Sequence, residues 1–98
     1  MSARHPAFKF RLYVAGDSLN SSQALANLRA LCGAARLPNR HAIDIVDVFS
    51  DPARALADGV FMTPTLIKLA PSPARRVVGN LSQTALVREV LGLERPDE

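Results

Sequence analysis

A single cysteine, Cys32, stands in a chain of 98 residues, and a lone thiol neither closes an internal disulfide nor builds a metal cage. Histidine is scarce too: His5 and His41 are isolated, with none of the ligand spacings of a zinc site. Cofactor chemistry is therefore not expected. No stretch approaches the roughly 20 apolar residues of a membrane span. The N-terminus, carrying Arg4, His5, Lys9 and Arg11, lacks the apolar core of a secretory signal. The expectation is a soluble, cytoplasmic protein. Tryptophan is absent, and Phe8, Phe10, Phe49 and Phe61 are expected to be used in packing. The net charge of +3 comes from ten arginines and two lysines spread along the chain. Even with Arg29, Arg36 and Arg40 placed to form a stripe, the composition argues against nucleic acid and for a solvated surface.

What is present reads as one domain over residues 1–98, with a core from about 7 to 92 and a frayed tail from 93 to 98. Residues 8–15 alternate, with Phe8, Phe10, Leu12 and Val14 on one side and Lys9, Arg11 and Tyr13 on the other, the period of a strand. A turn at Gly16-Asp17-Ser18 leads to a helix over 21–35, capped by Asn20 or Ser21, with Leu25, Leu28, Leu31, Cys32 and Ala35 as its apolar stripe. Cys32 sits inside that stripe as a small buried hydrophobe. Leu37-Pro38-Asn39-Arg40 ends the helix, and the β-branched run over 42–49 reads as the next strand. Asp51-Pro52 opens a short helix that ends near Gly59. Residues 65–70 and 75–78, joined across Pro71-Ser72-Pro73, form an antiparallel hairpin. Ser82 caps a last helix in which Leu86, Val87, Val90 and Leu91 face the core. The order is βαβαββα.

Pro64, directly before an apolar strand in Thr63-Pro64-Thr65-Leu66, stands where thioredoxin-like domains place a cis-proline. Their chemistry needs a thiolate at the start of the first helix, and Asp17, Ser18 and Asn20 occupy that place. Thiol-redox function therefore fails at its first requirement. Ser21 and Ser22 lack the Gly-x-Ser-x-Gly elbow of a hydrolase. Asp44, Asp47 and Asp51 are best explained by neutralisation by arginine. No catalytic constellation is expected.

The motifs Leu12-Tyr13-Val14-Ala15-Gly16, Asn20-Ser21, Asp47-Val48, Thr63-Pro64-Thr65-Leu66 and Arg75-Arg76-Val77-Val78-Gly79-Asn80-Leu81-Ser82 together resemble the KaiB family of circadian clock proteins, over about residues 7–92. They are also similar to the N-terminal sensory domain of the clock output histidine kinase. The resemblance implies a non-enzymatic adaptor that binds the N-terminal ATPase ring of KaiC and modulates its phosphorylation cycle. KaiA, or alternatively a histidine kinase, is implied as a further partner. It also implies fold switching between a tetrameric ground state of order βαββααβ and a monomeric thioredoxin-like state that binds. Proline isomerisation belongs to that change, which fits the slow barrier of X-Pro bonds. On this resemblance the partner-binding candidates are Ala42, Asp44, Asp51, Gly59, Pro64, Arg75 and Arg76, and the fold-switch candidates are Pro64, Pro71, Pro73 and Val90. Asp44 and Gly59 stand where the family commonly carries lysines, and Val90 replaces a family glycine. Together with a short acidic tail, which leaves fewer residues for an extended C-terminal arm, the second departure favours the thioredoxin-like state.

Overall fold

The computed structural model describes residues 7–34 and 41–93. Its elements are β1 (Phe8–Val14), α1 (Leu19–Ala34), β2 (His41–Asp47), α2 (Pro52–Ala57), β3 (Thr65–Ala70), β4 (Arg75–Val78) and α3 (Thr84–Leu91). The C-terminal half is thus αββα, and the whole has the expected βαβαββα order. The four strands form one sheet in the order β2-β1-β3-β4. β1 runs parallel to β2, as a helical crossover requires, and antiparallel to β3; β3 and β4 form the hairpin. The peptide bonds before Pro64, Pro71 and Pro73 are cis.

The alternation in β1 sorts side chains onto two faces. Phe10, Leu12 and Val14 join Ala24, Leu28, Leu31 and Cys32 of α1, Leu66 of β3 and Val87 and Leu91 of α3 in the larger core cluster. Tyr13, Val46 and Ile67 point the other way and pack with Ala55 and Val60 around α2. The second face is thin, because α2 buries only Ala55.

Several local expectations need correction. α1 starts at Leu19, and its cap is Ser18, whose Oγ accepts from the Ser21 amide at 3.3 Å. Ser21 is itself buried, with its Oγ accepting from Ala15 N at 3.1 Å. Buried Ser21 and Ala24 carry the stripe at that end of α1, Leu25 is half-buried, and Ala35 lies outside the described residues. β2 ends at Asp47, two residues short of the predicted end, as the chain turns. Ser82 does not cap α3: Gln83 holds that position without a side-chain bond, and Leu86 is exposed. At the other end Gly92 takes the left-handed conformation at φ 74°, and the Leu93 amide reaches back to the Arg88 carbonyl at 2.9 Å. That pairing and the buried Leu93 side chain make a standard glycine helix stop.

Lys68 is a buried cation that periodicity alone does not expose. Its Nζ donates to the Leu91 carbonyl at 3.1 Å, satisfying the negative end of α3. Burial, aided by the nearby Arg75 charge, pushes the Lys68 pKa down.

Candidate functional site

The C-terminal ends of β1, β2 and β4 and the start of β3 meet at one end of the sheet, so the loops 15–18, 48–51, 59–64 and 79–83 gather there. This end carries Phe49, Phe61 and Met62, which are 76%, 85% and 65% exposed. The expectation that Phe49 and Phe61 pack inside is therefore wrong; only the Phe8–Phe10 pair stacks against the core. The exposed side chains surround a shallow groove of about 210 Å³ floored by Ala15, Ala55 and Val60. Asp47 holds the rim in place. Its Oδ1 accepts from the Phe49 amide at 2.9 Å and from the Gly16 amide at 3.2 Å. Gly16, at φ 57°, lies under the Phe49 ring. Asp47 is thus engaged by backbone amides rather than by the arginine expected for it.

Beside the groove, charged side chains tie α2 to the sheet. The buried Tyr13 hydroxyl sits 2.5 Å from Asp58 Oδ2 and donates to it, with the Arg54 carbonyl 3.0 Å away as a second acceptor. Arg11 bridges Asp58 and Asp44, each at 3.1 Å, and Arg54 reaches Asp44 at 2.6 Å. Arg54 also faces Asp51 at 3.9 Å, and the Asp51 side chain accepts the Arg54 amide as the N-cap of α2. Arg76 closes the set from β4 by donating to the Asp58 and Gly59 carbonyls. Arginine does neutralise Asp44 and Asp51.

The Tyr13 hydrogen bond, with help from Arg11, holds the Asp58 carboxyl below its ordinary 3.8 against the opposing effect of burial. Arg54 and then Arg11 do the same for Asp44. Groups whose folded pKa is depressed contribute stability that is complete above their unfolded value and lost as pH falls through the folded one. Urea midpoints should therefore hold down to about pH 4 and drop below it. Asp58→Asn should be less stable than the parent at neutral pH and converge with it in acid. A constant gap between the two across the acid range would contradict this assignment.

The resemblance-derived candidates divide on this frame. Ala42 and Asp44 lie exposed on edge strand β2, on the face that carries α2. Asp51, Gly59 and Arg76 surround α2 as described. Pro64 is buried, so its side chain lies beneath this surface, while its carbonyl accepts from the Gly79 amide at 2.9 Å. Arg75 is not part of the group: it pairs with Lys68, which puts it on the opposite face beside α3. Pro71 and Pro73 are exposed in the hairpin turn at the far end of β3 from Pro64, and Val90 is half-buried on α3. The fold-switch candidates are thus spread over three places. The residues missed by sequence reasoning are Phe49, in the turn after β2, Phe61 and Met62, in a stretch between Gly59 and Pro64 that has no period to direct them inward, and the Tyr13–Asp58 pair.

The start of α1 holds exposed Asp17, Ser18 and Asn20, while Cys32 is fully buried with its thiol pushed up to about 11 by burial. Cys32 should stay unmodified by an aromatic disulfide reagent until the protein unfolds; stoichiometric reaction within seconds in native buffer would refute that. Among the described residues no three His, Cys, Asp or Glu side chains gather as a metal site. None of the described helices is long and apolar enough to cross a membrane.

Similarity to known proteins agrees with this arrangement. The KaiB domain model matches residues 11–93. Circadian clock protein KaiB3 of Synechocystis sp. is 40% identical over 84 residues, covering 86% of this chain and 79% of that protein. Circadian clock oscillator protein KaiB of Prochlorococcus marinus is 40% identical over 88 residues, covering 86% and 68% respectively. Among solved structures, the N-terminal domain of Synechococcus elongatus SasA superposes with a TM-score of 0.74 at 15% identity, covering 96% of this chain and 90% of that one. Mitochondrial thioredoxin 3 of Saccharomyces cerevisiae gives 0.69 at 18% identity, covering 92% and 82%. These last two establish a thioredoxin-like fold and no more. By sequence, the chain belongs to the KaiB family of circadian clock proteins.

Proposed function

We propose that this chain is a clock adaptor, a single domain without chemistry of its own, that docks on the N-terminal ATPase ring of a KaiC-like partner in the cytoplasm and modulates its phosphorylation cycle. The observation that carries the reading is the exposed cluster of Phe49, Phe61 and Met62. Aromatic and methionine side chains grouped on a fixed surface are the composition of interface anchors. Asp44, Asp51 and Arg76 form the polar rim of that surface, Ala42 extends it along β2, and Gly59 and Pro64 shape the loop that presents Phe61. In this reading the αββα half is the binding state and a tetrameric βααβ arrangement is its resting counterpart. KaiA is a further partner where a complete clock exists.

A second reading, a sensor-type domain that binds a histidine kinase, is supported by Asp44. Its carboxylate is occupied by Arg11 and Arg54, so the β2 rim lacks the free positive charge of the family's KaiC-facing lysines. Size-exclusion chromatography with light scattering, with and without a KaiC ATPase ring plus ATP, tests the choice. Comigration with the ring supports the adaptor; a chain that never joins it, whether monomer or tetramer, favours the sensor.

A further inference from the structure

Among the described residues β4 is an edge strand with β3 as its one neighbour. The Gly79 amide donates to the Pro64 carbonyl, which makes 64 and 79 a hydrogen-bonded pair. By the alternation of an antiparallel ladder, 66/77 and 68/75 are bonded pairs as well. The N–H and C=O groups of Arg76 and Val78 therefore point away from β3, and both residues are exposed. Such a row is a template for another strand.

Two features of the α3 side say what kind of strand fits. A groove of about 260 Å³ lies between the end of β4 and the first turns of α3, with Val77, Leu81 and Val87 in its lining and Leu86 exposed at its lip. Its wall is fixed: Leu81 is buried at φ 66°, and Asn27 of α1 donates to the Asn80 carbonyl at 2.8 Å. At the other end of β4, on the face shared with Val77, stands Arg75. Among the described residues its guanidinium donates only to the Ala74 carbonyl and enters no ion pair. Lys68 lies beside it, so among the described residues this corner holds two cations and no carboxylate partner.

We propose that β4 and this groove receive an extended acidic and apolar segment of a partner protein, added to the sheet as a fifth strand. Its backbone pairs with Arg76 and Val78, one apolar side chain enters the groove at Val77, and a carboxylate two residues along meets Arg75. The spacing follows from the strand, in which same-face residues recur every roughly 7 Å. A second copy of this chain is the poorer occupant, because pairing β4 with its own equivalent sets arginines against arginines on a chain of net charge +3. The surface faces α3 and is separate from the Phe61 patch, so it stands independently of the docking reading above.

The test is an amide-resolved NMR titration of the full chain with two synthetic peptides, Thr-Thr-Leu-Thr-Glu-Thr-Thr and its reversal, since either strand direction is allowed. The expected result is saturable shifts at Arg76, Val78 and Leu86. Arg75→Glu should weaken binding about tenfold, as should lysine in place of the peptide glutamate. Val78→Pro, which deletes an outward N–H and no bond to β3, should weaken binding while leaving the urea midpoint unchanged. Shifts confined to the Phe49 and Phe61 loops, no shift at millimolar peptide, or indifference to Arg75→Glu would each overturn the proposal. So would concentration-dependent dimerisation through β4, which assigns the edge to a second copy.

Discussion

Replacing Phe49 and Phe61 together with alanine should abolish capture by a KaiC-like ring at micromolar concentrations while leaving the unfolding midpoint in urea where it was. Both rings are mostly in water, at 76% and 85% exposure, so truncation removes little that folding had buried. In a complex the same rings would be desolvated, and aromatic anchors of this kind cost about 2 kcal/mol or more each when removed. That is roughly a thirtyfold loss of affinity per ring. The effects need not add, but even partial additivity takes a micromolar complex beyond detection by chromatography. Titration calorimetry against the ring with ATP measures the single variants. Leu86→Ala, which removes a 55% exposed side chain on the α3 side, serves as the comparison. If the double variant binds as the parent does and Leu86→Ala does not, the docking surface is on the wrong face of the sheet.

Tyr13→Ala should cost about 3–5 kcal/mol of stability, the range for deleting a large buried ring. Tyr13 is fully buried and is the largest member of the thin cluster between the sheet and α2. The vacated space faces Ala55, Val60, Val46 and Ile67, and with so few neighbours the layer has little capacity to refill it. Tyr13→Phe keeps the ring and loses the hydroxyl that meets Asp58 and the Arg54 carbonyl. It should cost about 0.5–1.5 kcal/mol, the net worth of one hydrogen bond, since the half-buried Asp58 carboxylate keeps Arg11 as a donor. Urea denaturation of the pair separates packing from hydrogen bonding. Equal losses would place the energy in the hydroxyl, and a loss below about 1 kcal/mol for alanine would mean that α2 is not anchored through this ring.

Much of the fold was legible, for reasons that particular residues make plain. The alternation from Phe8 to Val14 sets β1 and both faces of the sheet. The spacing of Leu28, Leu31 and Cys32 sets the inward side of α1, and Asp51-Pro52 marks the start of α2 to the residue. Periodicity worked where a residue belonged to an element and failed between elements. Phe49 and Phe61 sit in turns, where nothing about neighbours indicates in or out, and the ordinary preference of phenylalanine for the interior pointed the wrong way. The cap of α1 moved to Ser18 because Asn20 and Ser21 already lie within the helix. Leu86 fits the stripe of α3 by spacing, yet it lies in the first turn, beside an open groove rather than under the sheet. The separation of Arg75 from Arg76 follows from strand alternation, but which of them meets α2 depends on the register with β3. Of the site, the family motifs marked the neighbourhood of Pro64, while the exposed patch and the Tyr13–Asp58 contact needed coordinates.

The unequal joining of the helices to the sheet has a consequence for how the molecule opens. α1 and α3 are held by an apolar core that salt leaves nearly untouched, whereas α2 is held by one buried alanine, the Tyr13 side chain and a lattice of half-exposed charges. Charges at that exposure are screened at ionic strengths where apolar contacts are not. Amide protons of α2 should therefore exchange with solvent first and those of α1 last, with the interval between them widening as salt is added. The helix between the Phe49 and Phe61 loops is thus the first to let go of the sheet, and dissolved ions set how often it does.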